Sequence, residues 1–496
     1  MSYNPNLSYF LSRLQGVSTN YFRLEPQTSG SGVITANKII RFSIPSNTLL
    51  NSRGISFNFN ADANGLASCG GRLPADLSML IDRVELSSGG VNIASGANGY
   101  NLIAQMRKAL TVDKCDPALG HPAIVRSVSY VDGGGDYAGG SGATPPYSIT
   151  STNNENYRSD AGQVQFAINN WEGFLGSVQP SIIDTSLLSD LTLTLYLAGN
   201  EVCSSSAGIT LDLTGSGDIT DVNATAQSQY RLKDFHLIVE TLGMADSVYD
   251  MMIEKRISQV GYIELPFKTY YTFNDTHSGT TRFTVASQSL DRVYFGFRES
   301  TYADKSAPLR VAGHKVSGCF TTASSGGAVG TLVQDIGKPT YDIGGVLGTN
   351  SERYIGNFYN FKEFNASGST IATASIPPTY QLNFNGSFIP QFKASAEQML
   401  SISRNSVPTV DMNSGKYPVS VMTLDQYKNN FFVGCVRLCL PQAEENREIC
   451  GADSRGISLN AYLTTTGVSS GKNVFIVCET TASLRIGAGR AIEVIA

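Results

Sequence analysis

Along much of this 496-residue chain apolar side chains recur at every second position, a period that admits few folds. Residues two apart on an extended strand share a face, so alternation of this kind describes strands with one buried side. The clearest run is Leu191-Thr192-Leu193-Thr194-Leu195-Tyr196-Leu197, with four Leu on one face and hydroxyl-bearing residues on the other. Ile55/Phe57/Phe59, Phe235/Leu237/Val239, Phe283/Val285, Val293/Phe295/Phe297, Leu382/Phe384 and Ile457/Leu459/Ala461/Leu463 follow the same rule. β-Branched and aromatic residues fill these runs, and Gly, Asn, Pro or Ser clusters end them. No regular strand–helix alternation exists to build a parallel sheet, so the pattern predicts antiparallel sandwiches or barrels.

The length suggests more than one core, since single domains mostly hold about 100 to 200 residues. Two phrases recur in the same order in each half. Ile81-Asp82-Arg83-Val84 returns as Leu290-Asp291-Arg292-Val293, 290 − 81 = 209 positions later, and Phe42-Ser43-Ile44-Pro45 returns as Ile263-Glu264-Leu265-Pro266, 265 − 44 = 221 positions later. The recurrence predicts two similar domains. The small-residue run Ala224 to Ser228 places their junction near Asn223 to Gln229, giving an arm over residues 1–24, a first domain over 25–225 and a second over 226–496.

Four short helices are expected. In the arm Asn4 can cap, Pro5 suits the first helical position, Leu7, Phe10, Leu11 and Leu14 form an i, i+3, i+4, i+7 stripe, and Gly16 can close the end. A second runs from Tyr100 to Leu110, with Leu102, Ile103, Met106 and Leu110 on one side. A third begins at an Asp246 cap and reaches about Ile257, and a fourth starts at Ser395 with Gln398 as capping-box partner. The stretches Val131 to Asp160 and Thr321 to Asn350 lack periodicity and fall one in each half. Segments of that length without structure are uncommon in compact domains, so both read as solvent-facing loops, either functional or tolerated insertions.

Only 16% of residues are charged, against a usual share of about 25%, and 49 are Gly. The net charge of −5 offers no general attraction to phosphate backbones or anionic membranes, so no specific nucleic acid is expected as a partner. No apolar run approaches the roughly 18 residues of a membrane span, and the first residues lack a signal-peptide pattern, so folding in a reducing compartment is expected. The eight Cys, at 69, 115, 203, 319, 435, 439, 450 and 478, are too few for a disulfide scaffold and read as buried free thiols. Cys435 and Cys439 form a C-x3-C pair without the second pair or His that a zinc finger needs. Sequons at Asn223, Asn274, Asn365 and Asn385 carry little weight without evidence of secretion.

No constellation of catalytic residues emerges. The four His, at 121, 236, 277 and 314, are scattered and none lies in H-E-x-x-H. Gly467-Val468-Ser469-Ser470-Gly471 has the letters of a nucleophile elbow, but strands flank it on both sides where the elbow needs a helix to follow, so it reads as a hairpin loop. Gly471-Lys472 and Gly337-Lys338 complete no phosphate loop and read as turns. Neither an enzyme activity, a cofactor nor a metal is expected. The arm carries Arg13 and Arg23 and no acid, a weak basis for nucleic acid; its stripe of Leu7, Phe10, Leu11 and Leu14 is the candidate for docking on a protein neighbour.

Ile81 through Ile93, with Gly89-Gly90 between two strand-like runs and a helix after them, resembles the first domain of the double jelly-roll major capsid proteins. Thr281 to Val293, then Tyr380 to Pro390 and the helix that follows, resembles the second domain, and Gly451 to Gly456 with the strands up to Gly487 is similar to its closing hairpins. Among relatives, virophages, polinton-like viruses and related eukaryotic DNA viruses are closest in size and acidic character. The resemblance implies an all-β fold of two consecutive antiparallel jelly-roll sandwiches with a few short helices. It further implies a homotrimer forming a pseudo-hexagonal capsomer of an icosahedral shell, assembled inside the host cell and residing in the virion. Implied partners are neighbouring capsomers, penton and minor capsid proteins and an internal membrane, with the two long loops outermost and the arm helix at the inner base. The alternative on residues alone is a β-sandwich receptor- or glycan-binding module, such as a viral fibre or lectin-like protein, which would gain nothing from a basal helix.

Overall fold

The computed structural model describes residues 17–27, 32–64, 71–72, 77–94, 99–112, 165–202, 204–205, 209–211, 219–222, 229–244, 247–298, 361, 363, 377–407, 417–418, 424, 427–428, 432–440, 449–455 and 461–495. The strands of the two main sheets of the first half are β1 (Val17–Leu24), β2 (Val33–Thr35), β3 (Ile39–Ile44), β4 (Leu49–Asn51), β5 (Ser56–Asn64), β6 (Ile81–Ser88), β7 (Val91–Ala94), β8 (Gln165–Ile168), β9 (Ile182–Asp184), β10 (Leu191–Leu197) and β11 (Gln229–Met244). Those of the second half are β12 (Tyr262–Thr276), β13 (Thr280–Phe283), β14 (Leu290–Arg298), β15 (Thr379–Phe384), β16 (Ser387–Ala394), β17 (Val433–Arg437), β18 (Ala461–Thr466), β19 (Asn473–Gly487) and β20 (Ile492–Ile495).

Hydrogen bonding sorts these strands into two sandwiches with one wiring. In the first, β2-β11-β5-β8 form one sheet and β3-β10-β6-β7 the other. In the second, β12-β19-β14-β17 face β13-β18-β15-β16. Numbered by order of appearance within each half (β2, β3, β5, β6, β7, β8, β10, β11 and then β12 to β19), both read 1-8-3-6 against 2-7-4-5. Every pairing among these strands is antiparallel, and eight strands so wired in two sheets are a jelly roll. The first sheet is extended by β1, β4 and β9, and the second sandwich by β20 beside β19.

On β3 the alternation read in the sequence is the alternation of burial, whereas β14, with Val293, Phe295 and Phe297, is buried at every position rather than on one face alone. Leu191, Leu193, Leu195 and Leu197 of β10 are all buried, as are Ile40, Phe42 and Ile44 of its neighbour β3. Each such side chain contributes roughly 1.5–3 kcal/mol when taken fully out of water. The run Ile457/Leu459/Ala461/Leu463 is observed from Ala461 on, residues 456–460 lying outside the described ones.

Three expected helices are found: α1 (Tyr100–Leu110), α3 (Ser247–Val260) and α4 (Ala396–Ser406). Ser395 caps α4 through the Gln398 backbone N–H while the Gln398 side chain accepts from the Ser395 N–H, the reciprocal pair foreseen. Residue 246, the expected cap of α3, is outside the described residues. One further helix, α2 (Phe174–Ser177), is a single turn that no periodicity announces.

Two readings need correction. The expected junction at residues 223–229 assigns β11 to the second domain, yet β11 pairs with β5, β4, β2 and β1 of the first, so the change of sandwich comes after Met244, at α3. Small residues mark a loop, and a loop lies between any two strands; only the partner tells which sheet a strand joins. Residues 17–24, expected as part of a separate arm, form β1 and pair with Leu237–Met244.

The second correction concerns the repeated phrases. Ile81–Val84 opens the fourth strand of its sandwich but Leu290–Val293 opens the third, and Phe42–Ile44 lies on a second strand where Ile263–Pro266 lies on a first. The phrases match between strands that are not equivalent. The duplication is carried by geometry: β6 and β7 turn at Gly89-Gly90 and precede α1, while β15 and β16 turn at Asn385-Gly386 and precede α4. All four turn residues have positive φ (56°, 84°, 49° and 89°), the backbone of a two-residue hairpin that matches strand twist.

Candidate assembly surfaces and the seam between the sandwiches

A jelly roll of this kind closes no sheet, so its edge strands are where another chain could add contacts. Large apolar side chains that remain exposed gather there. Tyr21 (67% exposed) and Phe22 (42%) lie on β1, Val33 on β2, Ile39 on β3, Val91 on β7, and Phe388 (45%) and Phe392 (51%) on β16. From Ser18 to Arg23, β1 is exposed on both faces, and among the described residues it pairs only with β11. Arg23 anchors it through ion pairs with Glu25 and Asp234 at 2.7 and 3.0 Å, both open to solvent. Exposed pairs of that kind are screened by solvent and add little to stability. Leu7, Phe10, Leu11 and Leu14, the candidates nominated for docking, lie outside the described residues. The expected outer loops Val131–Asp160 and Thr321–Asn350 lie outside them too.

The two sandwiches meet along β12. The segment from Trp171 to Gln179, which includes α2, lies on this strand: Lys268 N–H donates to Ser177 Oγ at 2.7 Å, Gln179 N–H donates to the Pro266 carbonyl at 3.1 Å, and the rings of Phe174 and Phe267 meet edge to face at 4.9 Å. Its other side is fixed to the first core by Trp171 Nε1–H donating to the Ile55 carbonyl at 2.8 Å. From α1, Arg107 contacts Glu172 and donates to Tyr270 Oη at 2.9 Å. A cavity of about 40 Å³ with Glu172, Lys268 and Tyr270 in its wall lies at the same seam, large and polar enough for ordered water.

Behind this seam the second sandwich holds charges in its core. Lys268 Nζ lies 2.6 Å from Asp291 Oδ2 and donates to Thr481 Oγ1 at 2.9 Å; Arg292 Nη1 lies 2.9 Å from Glu479 Oε1; Tyr294 Oη–H donates to Glu479 Oε2 at 3.0 Å. Asp291 and Arg292 are 0% exposed. Burial alone would push the Glu479 carboxyl up, but Arg292, Arg107 and Lys268 together outweigh it and hold the group at about 2. With Arg107 and Glu172 the network has three cations and three anions, the balance that burial of charge requires. The corresponding letters in the first half do different work: Arg83 is partly exposed, beside Glu85 and over the Tyr196 ring at 5.3 Å.

The loop Gly467–Gly471 has strands on both sides, as read, but β18 and β19 lie in opposite sheets and do not pair, so it crosses from one sheet to the other and is not the hairpin expected. His277, at the turn between β12 and β13, takes the Gly279 N–H on Nε2 at 3.2 Å and lies 2.7 Å from Thr465 Oγ1. Its backbone N–H donates to the Lys472 carbonyl at 2.7 Å, so the residue ties two neighbouring loops together. No disulfide joins Cys435, Cys439, Cys450 or Cys478 to another described residue, and the first two and the last are buried. Among the described residues one group of three could offer ligands to a metal, Asp291, Cys439 and Cys450, with their ligand atoms within 4.8 Å of one another. The Asp291 carboxylate is already taken, by Lys268 and Thr481 on Oδ2 and by Ser289 Oγ–H on Oδ1 at 2.7 Å. A dication placed there would face the Lys268 ammonium, so the group does not fit a metal centre.

No protein-family model and no curated protein matches the chain. Among solved structures, the Faustovirus major capsid protein aligns with a TM-score of 0.54 and 11% identity over 95% of this chain and 91% of its own. The PBCV-1 virus capsid aligns at 0.49 and 11% identity over 98% of each chain, and that of the Sputnik virophage at 0.45 and 11% over 96% and 88%. The likeness to the Faustovirus protein shows the double jelly-roll fold, which the strand wiring of the described residues gives independently.

Proposed function

We propose that a chain with this fold is the major capsid protein of an icosahedral virus, trimerising into pseudo-hexagonal capsomers that assemble into the shell. The observation that carries the proposal is the pair of identically wired jelly rolls in one polypeptide, aligned over nearly its full length with a major capsid protein. Three chains with two lobes each present six similar lobes around a threefold axis, so a trimer can sit at a hexagonal position of a lattice. Support for side-to-side contact comes from the apolar residues on the edge strands, Tyr21, Phe22, Phe388 and Phe392 among them. An obligate interface buries about 2,000 Å² or more, mostly apolar, and edges of this composition are suited to contribute to it. Neighbouring capsomers, penton and minor capsid proteins and an internal membrane are the partners this role calls for, and the virion its location. Leu7, Phe10, Leu11 and Leu14 are proposed to dock the arm on one of them.

Sedimentation of the purified protein at micromolar concentration, with negative-stain microscopy of the same sample, tests the proposal. Trimers with six-lobed outlines are expected; a monomer at all concentrations overturns it.

A further inference from the structure

We propose that Cys439 and Cys450 are a dithiol pair that closes into a disulfide, stapling the neck of the segment between them. The Sγ atoms lie within 4.8 Å of each other, and Asp291 offers an oxygen within the same distance. Both ends of the segment are fixed to one strand by backbone hydrogen bonds. Leu438 N–H donates to the Asp291 carbonyl at 2.8 Å, while Leu290 and Ala452 exchange two bonds of 2.9 Å each. Gly451 is pressed so closely on this strand that a Cβ there would lie 2.4 Å from the Leu290 carbonyl oxygen and 2.5 Å from Asp291 Oδ1. The backbone beside each thiol is thus tied to the same strand, which keeps the two sulfurs near each other. Cys450 is partly exposed, whereas Cys439 is buried, an arrangement in which one thiol meets an oxidant and the other resolves it. Immediately beyond them Leu440 (67% exposed) and Ile449 (51%) present apolar surface, so the staple would fix a pair of residues suited to contact.

The chemistry is thiol–disulfide exchange with a low-molecular-weight disulfide such as oxidised glutathione. The Cys450 thiolate attacks one sulfur of that disulfide, forming a mixed disulfide and releasing one glutathione thiolate. The Cys439 thiolate then attacks the Cys450 sulfur and displaces the second. The two cysteines lose two electrons, the small disulfide gains them, and the two protons leave with the two glutathione thiols. Cys478 is an internal control, because burial pushes its thiol up and keeps it protonated.

The test uses the full-length protein equilibrated with oxidised glutathione, its remaining thiols alkylated under denaturing conditions, then digested with trypsin without reduction. Cleavage after Arg437, Arg447 and Arg455 separates the two residues into Leu438–Arg447 and Glu448–Arg455, each with one Cys. The expected result is one species with the summed mass of both peptides less two hydrogens. It should be lost on reduction and absent from Cys439→Ser and Cys450→Ser, with Cys435 and Cys478 alkylated throughout. The inference is overturned if both peptides carry alkyl groups after oxidation, if Cys450 stays glutathionylated with Cys439 alkylated, or if the purified protein holds zinc that either variant loses. Circular dichroism of the Ser variants confirms that a missing crosslink does not reflect unfolding.

Discussion

At the scale of single residues, the buried charges of β14 and β19 are the feature with the largest energetic consequence. Lys268 sits between Asp291 and Glu479, and all three are buried, its side chain being 4% exposed and theirs 0% and 2%. Lys268→Met is therefore expected to destabilise the protein by about 3–5 kcal/mol, the usual cost of leaving a buried partner unpaired, as read by denaturant unfolding. An unchanged midpoint would show that the pair contributes nothing net. His277 provides a different signal. Burial lowers its pKa from the ordinary 6.5, with Asp275 opposing, so between the folded and unfolded values the unfolded chain binds more protons. Stability from this residue is present above about pH 6.5 and is lost as pH falls through the folded value. Wild-type protein should lose unfolding free energy between pH 7 and 5 more steeply than His277→Gln, whose side-chain oxygen can still accept from Gly279 without titrating. Parallel pH profiles of the two proteins would sink this assignment.

At the scale of elements, strands were readable and their partners were not. Alternation identifies β10 without any tertiary knowledge, because one face of a strand meets the core and the other does not. The helix α4 was equally legible, its cap and partner being three residues apart. By contrast α2 has four residues and exists because the first sandwich reaches over to β12, a reason written in the neighbour and not in its own letters. Gly176 shows how tightly that reach is built: a Cβ there would lie 1.8 Å from the Trp171 carbonyl oxygen. Backbone cannot yield as a flexible side chain can, so Gly176→Ala should destabilise by about 1–3 kcal/mol or more. The loss should be accompanied by faster proteolysis within Trp171–Gln179, and equal stability of the two proteins would contradict the described packing. The metal-ligand group and the thiol pair were missed for the same kind of reason. C-x3-C drew attention to Cys435 and Cys439, whereas the fold sets Cys439 beside Cys450.

At the scale of the whole molecule, the seam joins the two sandwiches through hydrogen bonds, ring contacts and paired charges on β12, while the apolar edges remain open. This division predicts that Phe388→Lys combined with Phe392→Lys leaves folding intact, because both side chains face solvent, but lowers the yield of capsomers or shells seen by microscopy. Particles at normal yield would remove β16 from the proposed contact surface. The sequence by itself determined that this chain is a succession of half-buried antiparallel strands with a few capped helices, since those follow from periods of two and 3.6 residues and from local hydrogen-bond chemistry. Only the tertiary structure decided which strands share a sheet, that β11 closes the first sandwich, and that the Asp-Arg-Val phrases stand on inequivalent strands. The physical reason is that pairing and charge burial join residues far apart in the chain: Lys268 finds Thr481, and Arg107 finds Tyr270, through space that no local pattern encodes.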